Sequence, residues 1–236
     1  MFWHAPSRSW ILLVAEPCGW DEPDSDARSR LRIYRSPDGL RWQHSSTLGP
    51  WDPPRVIWEM PQLFPLGSGK TSWCLLWSVA DRRGQTTLCS VRYCFGNFDG
   101  YSFRPGVSAV PPTARTDTVR GPLLDHGPDF YAAIVARLPL PQRRGKHWVA
   151  IAWHSNWRDA RALPWRGFAG GPMTVPRILG IGWDLRRTPC LAQRWLPRLT
   201  EGVGPTRARV LPRLTPKPTI IAKLPRMPAL LQLRVA

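Results

Sequence analysis

Turn-forming residues cut this chain into short apolar runs, and no run is long and regular enough to make a helix. The 236 residues include 27 Pro and 19 Gly. Proline removes a backbone donor and blocks helix interiors and central strands. Glycine reaches the positive φ that tight turns require. No stretch pairs a 3.6-residue apolar period with caps at its ends. A chain punctuated in this way buries its apolar residues by pairing short strands, so the expected class is all-β.

The strands can be read in order. Ser9–Ala15 is a compact apolar run, and Arg30–Tyr34 alternates polar with apolar residues. Ser36-Pro37-Asp38-Gly39 is a turn, with Pro presetting φ and Gly accepting positive φ, and the next strand is expected from Leu40. Gln62–Leu66, Ser72–Ser78 and Gln85–Phe95 read as strands, with turns at Gly67–Lys70 and at Phe98-Asp99-Gly100. A Pro-rich loop is expected over 104–122, then strands at Asp129–Arg137 and His147–His154. Short antiparallel strands in groups of three and four suit radially repeated sheets, a β-propeller, with a β-sandwich as the competing arrangement.

Composition bounds the rest. Hydrophobic residues make up 43% of the chain, enough for a real core, and the 14 Trp suit sugar binding, since a flat indole covers the C–H face of a sugar ring. The formal net charge of +17 would suit nucleic acid. The basic residues are scattered, however, and the acidic ones sit beside aromatics, so no nucleic-acid partner is expected; a basic nucleic-acid-binding protein ranks as a third alternative. Five cysteines at irregular spacing form neither a disulfide framework nor a zinc signature, and His4, His44, His126, His147 and His154 show no metal spacing. No metal or cofactor is therefore expected. Gly67-Ser68-Gly69-Lys70-Thr71 lacks the first Gly of a phosphate loop and reads as a hairpin turn. No apolar run reaches membrane-spanning length, and the start shows no basic-then-apolar leader. Residues 1–185 are expected to form the folded domain. Residues 186–236 read as a poorly packed tail, in which 201–236 carries six prolines and seven basic residues against one acidic.

One stretch carries chemistry. Ile57-Trp58-Glu59-Met60-Pro61-Gln62-Leu63-Phe64-Pro65-Leu66 sets a single carboxylate inside an apolar run. If Glu59 is held against Trp58 and away from water, its charged form is disfavoured and its pKa rises, as a general acid near neutral pH requires. The competing reading is a solvent-facing Glu at a strand end.

IWEMPQLFPL resembles the acid/base motif of glycoside hydrolase family 32, the invertases, levanases and inulinases. Further segments resemble that family in its own order: FWHAPSRSWILLVA, YRSPDGLRW, YCFGNFDGYSF, LDHGPDFYAA, WVAIAWHSNW and ALPWRGFAGGPMTVPRIL. The resemblance spans about residues 1–180. It implies a five-bladed β-propeller with a funnel-shaped central pocket, and hydrolysis of β-fructofuranosidic bonds in sucrose, levan or inulin with retention. Glu59 maps onto the acid/base. Asp125 maps onto a substrate-binding carboxylate near it, Trp157, in preference to Trp153, onto the aromatic wall, and Trp58 beside the acid is also assigned to substrate binding. The implied partner is a fructose-containing oligo- or polysaccharide.

The departures matter equally. The family's nucleophile motif, Trp-x-Asn-Asp-Pro-Asn, and its Arg-Asp-Pro motif do not occur in this sequence. The motif Cys is Met60, and the acidic residue after Pro61 is Gln62. The expectation is an incomplete propeller with the first blade or more missing, keeping the acid/base without the nucleophile. The alternative is a non-catalytic, fructan-binding or degenerate propeller.

Overall fold

The computed structural model describes residues 1–16, 28–67, 73–83, 87–106, 121–139, 145–162, 171–185 and 187–196, with side chains at 161 and 162 excepted. Most of the expected Gly67–Lys70 turn, most of the Pro-rich loop, the Leu-Pro and Trp-Arg-Gly segment and the chain beyond 196 lie outside these residues. The chain divides into two units, Met1–Arg194 and Trp195–Ala236, and the architecture below belongs to the first.

Among the described residues, twelve strands form three four-stranded sheets. The first holds β1 (Phe2–His4), β2 (Ser9–Glu16), β3 (Arg30–Ser36) and β4 (Gln43–Leu48). The second holds β5 (Val56–Pro65), β6 (Trp73–Asp81), β7 (Leu88–Phe98) and β8 (Phe103–Pro105). The third holds β9 (Tyr131–Pro139), β10 (Lys146–Trp153), β11 (Arg177–Trp183) and β12 (Pro189–Trp195). Each sheet is a meander in chain order, the pattern of propeller blades. The third continues past the compositional change at Arg186, because Leu191 packs into the core and its amide donates to the Tyr93 hydroxyl at 3.1 Å.

Turn chemistry explains where strands begin. The Asp38 carboxylate accepts the amides of Leu40 and Arg41, both at 2.9 Å, and Gly39 takes φ 75°. Leu40 and Arg41 are thereby held in the turn, so β4 starts at Gln43 rather than at Leu40. Asp99 does the same for Tyr101 and Ser102 at the next hairpin. There, a Cβ on Gly100 would lie 2.6 Å from His4 Nδ1, so only glycine fits. An α-helix departs from the expectation of none: α1 (Trp157–Ala162) is too short to show a period. Asn156 starts it, its Oδ1 accepting the Asp159 amide at 2.9 Å.

The core lies between the sheets. Ile11, Leu31 and Ile33 of the first pack against Val56, Trp58, Leu75, Trp77 and Val79 of the second. Phe64, Leu76, Val91 and Tyr93 of the second pack against Ala133, Ala150, Ala152 and Leu179 of the third. The middle sheet is covered on both faces, which is why Cys74–Ala80 is buried without a polar alternation. Side chains stitch the sheets. Ser29 donates to the Val56 carbonyl at 2.9 Å and accepts from the Trp58 amide at 3.2 Å, and the Trp148 indole donates to the Pro65 carbonyl.

Trp58 is the largest anchor. It is wholly buried among Trp51 and Trp77, with ring centroids at 5.3 and 5.8 Å, and its Nε1 donates to Asp52 Oδ2 at 2.7 Å. Trp58→Ala is expected to lower stability by about 3–5 kcal/mol in urea unfolding, whereas Trp3→Ala, at a half-exposed site, should cost less than about 1 kcal/mol.

His4 crosses from the first sheet to the second, its ring 5.2 Å from Phe98 and 5.7 Å from Trp73, with Nδ1 hydrogen-bonded to Ser7 Oγ at 2.8 Å. Burial, then the nearby Arg35 cation, holds its pKa below the usual histidine value, with Asp99 opposing. A lowered folded value means the neutral ring stabilises the fold above the unfolded value near 6.5, and that this contribution is lost as pH falls below it. His4→Phe is therefore expected to flatten the decline of stability on the acid side of about pH 6.5, read from unfolding midpoints across pH.

Candidate active site

Successive side chains on a strand point to opposite faces. On β5, Val56 and Trp58 face the first sheet and Ile57 faces the third. Glu59 follows Ile57 in parity and points toward the third sheet, away from Trp58. The expectation that Glu59 leans on Trp58 is thus corrected: the indole is in the core, on the other face, and does not line the pocket.

A β-bulge comes next. The β5–β6 register runs Trp58↔Val79 and Glu59↔Ser78, then resumes at Gln62↔Leu76, so Met60 and Pro61 together oppose the single Trp77, an excess of one residue. The shift reverses parity: Leu63 packs toward the first sheet and Phe64 toward the third. Met60 sits at φ 49°, in the left-handed region. A second irregularity lies opposite. The β9–β10 register shifts between Ile151 and Trp153, and Ala132 takes φ 51°. As a result Tyr131 and Trp153 join one small cluster with Ile57, Ala80 and Trp157.

The two bulges frame an open pocket of about 340 Å³ lined by Glu59, Met60, Tyr131, Ala132, Trp153 and Trp157. Of the five non-glycine residues at positive φ among the described residues, Met60 and Ala132 are in that lining, and Arg8, Arg55 and Arg187 lie elsewhere. Such strain, on the order of 1 kcal/mol or more per residue, concentrates at functional sites. The Tyr131 hydroxyl donates to Glu59 Oε2 across the junction of the two sheets. Burial first, and then the bond to Glu59, pushes the Tyr131 pKa far up, so the phenol keeps its proton. Trp153 and Trp157 meet edge to face with centroids 5.2 Å apart. Trp157 is further held by its backbone N–H, which donates to Cys89 Sγ at 3.5 Å. Ser78, paired in register with Glu59, is fully buried, and its hydroxyl has no hydrogen-bond partner among the described residues.

Of the residues singled out from sequence, Glu59, Trp153 and Trp157 come together here. Asp125 does not. Its carboxylate pairs with Arg177 at 2.5 Å and accepts the Gly127 amide at 2.7 Å, and Arg177 lies over the Phe130 ring at 4.4 Å. That clamp ties the 121–130 segment to β11, outside the pocket lining. Tyr131 reads from sequence as core, and it is 1% exposed, but its hydroxyl reaches Glu59. Strand alternation gives no sign of this, because the bulges set which face these residues share. The one available signal was the adjacency of Tyr131 to Asp129 and Phe130 in a segment already linked to the site. Among the described residues, no three His, Cys, Asp or Glu side chains converge as a metal site.

Residues 1–189 match the glycosyl hydrolases family 32 N-terminal domain. The extracellular exo-inulinase of Aspergillus niger is 30% identical over 203 residues, covering 82% of this chain and 33% of the relative. An invertase of Wickerhamomyces anomalus is 29% identical over 177 residues, covering 70% of this chain and 28% of the relative. Among solved structures, the exo-inulinase of Aspergillus awamori superposes with a TM-score of 0.62 at 26% identity, over 83% of this chain and 35% of that one. The chain therefore spans about a third of the length of the curated relatives it matches. Its meandering four-stranded sheets are those of an incomplete β-propeller, and with the family match running over most of its length, this chain belongs to glycosyl hydrolase family 32.

Proposed function

We propose that the pocket between β5 and β9 receives the fructosyl end of a β-fructoside such as sucrose, levan or inulin, with Glu59 as the proton donor. The observation that carries this reading is Glu59 itself: among the described residues, the sole carboxylate of an otherwise aromatic and apolar pocket, hydrogen-bonded by a buried phenol. Family membership, and relatives described as an exo-inulinase and an invertase, support the substrate class. The indoles of Trp153 and Trp157 offer flat faces for the sugar's C–H surface. In this reading Glu59, from the pocket lining, protonates the oxygen that leaves with the aglycone.

Retaining hydrolysis needs a second carboxylate about 5 Å from the first, to attack the anomeric carbon and hold the glycosyl unit until water replaces it. The described pocket lining supplies one carboxylate, and the sequence contains no Asn-Asp-Pro or Arg-Asp-Pro motif. The reading for this polypeptide by itself is therefore fructoside binding with negligible turnover, and the missing partner must come from another segment of a catalytically competent protein.

Two measurements test this. Incubated with sucrose, inulin and levan, the chain should release no fructose above background; release that disappears on Glu59→Gln would show that the nucleophile is present after all. In calorimetric titration with a short inulin-type oligosaccharide, Trp157→Ala should weaken binding about tenfold, the scale of one lost aromatic contact. Equal binding by the variant would remove Trp157 from the site, and no binding by the unaltered chain would sink the fructoside reading.

A further inference from the structure

The aromatic wall is carried by two elements that share no strand pairing. Tyr131 opens β9, and Trp157 opens a six-residue helix that is too short to hold itself. One side chain joins them. Asn156 is 3% exposed, and all its side-chain polar atoms are engaged. Its Nδ2 donates to Asp129 Oδ1 at 2.6 Å and to Asp159 Oδ2 at 2.9 Å, while its Oδ1 accepts the Asp159 amide at 2.9 Å. Its backbone carbonyl accepts the Ala160 amide at 3.0 Å. Asp129 is two residues before Tyr131, and Trp157 is the residue after Asn156.

We propose that Asn156 is a positioning residue for the sugar site. Its amide locks the first turn of α1 to the strand entrance at Asp129, and so fixes the Trp157 indole against Trp153 and Tyr131. Asparagine suits the post because one end must accept a helix amide and the other must donate to two carboxylates at once. Aspartate would keep the acceptor and replace the donor with a third negative oxygen. Leucine would fill the space and leave both ends unbonded. The arrangement acts through Trp157 and does not touch substrate, so Asn156 is not a catalytic residue.

This inference leans on the fructoside reading for its substrate, and the experiment separates the two. The chain carrying Asn156→Asp should bind the inulin-type oligosaccharide about tenfold more weakly, because the cap acceptor survives and the tether does not. Its new carboxylate faces Asp129 and Asp159 at a buried position, so its thermal midpoint should fall as well, and affinities are compared at a temperature where both chains are folded. Adding Asp129→Asn to that variant restores a donor and an acceptor with their polarity reversed, and should return affinity to within about threefold of the unaltered chain. In parallel, the near-ultraviolet dichroism attributable to Trp157, obtained by subtracting the spectrum of a Trp157→Phe partner in each background, should collapse in Asn156→Asp and recover in the pair. Unchanged affinity and dichroism in Asn156→Asp would overturn the proposal. So would a pair that recovers its thermal midpoint but not its affinity and dichroism. If the unaltered chain binds no oligosaccharide, the substrate reading fails alone, and the dichroism decides the role of Asn156.

Discussion

Everything at the pocket depends on a change of parity in two strands. A regular strand sends alternate side chains to opposite faces, so a core strand buried on both sides has no position free for a functional group. β5 and β9 solve this with bulges. Up to Glu59, β5 alternates between the first and third sheets; beyond Pro61 the alternation is inverted. The interruption opens the interface at that point and leaves a carboxylate facing it. The matching shift beside Ala132 brings Tyr131 and Trp153 to the same place. Met60 and Ala132, both at positive φ without being glycine, mark where the backbone is bent to do so.

That strain needs a rigid frame, and aromatic packing provides it. Trp51, Trp58 and Trp77 interlock on the first-sheet side, and Phe64 meets Trp148 at 4.9 Å on the other. Asp52 accepts from Trp58 and the Pro65 carbonyl accepts from Trp148, while the buried Trp77 indole N–H has no hydrogen-bond partner among the described residues. The middle sheet is thereby clamped from both faces, and the end of β5 that carries Glu59 inherits the stiffness. Side-chain hydrogen bonds then set the fine geometry, from Tyr131 to Glu59 and from Asn156 to Asp129. The clamp of Arg177 on Asp125 holds the segment leading into β9.

Much of this architecture could be read before any coordinates. The Ser36–Gly39 and Phe98–Gly100 hairpins announced themselves by residue type, because Asp carboxylates that accept nearby amides, and glycines at positive φ, are local chemistry. The apolar runs around β2, β6 and β10 were equally plain. What escaped was anything set by partners distant in sequence. Trp58 and Glu59 are neighbours in the chain and lie on opposite faces of the sheet. Tyr131 reads as core because it is core, and only its hydroxyl's reach across to Glu59 gives it a second role. α1 is less than two turns long and is capped by Asn156, so no periodicity could reveal it.

Residue order alone determined that this chain would be all-β, built from short strands and tight turns, with a lone carboxylate embedded in an apolar run. Those are consequences of local backbone preference and of where proline and glycine stand. The tertiary structure decided which side of the strand that carboxylate takes and which aromatic rings surround it. The reason is physical: pairing register is a property of two strands together, and a one-residue shift in it exchanges the faces of every side chain that follows.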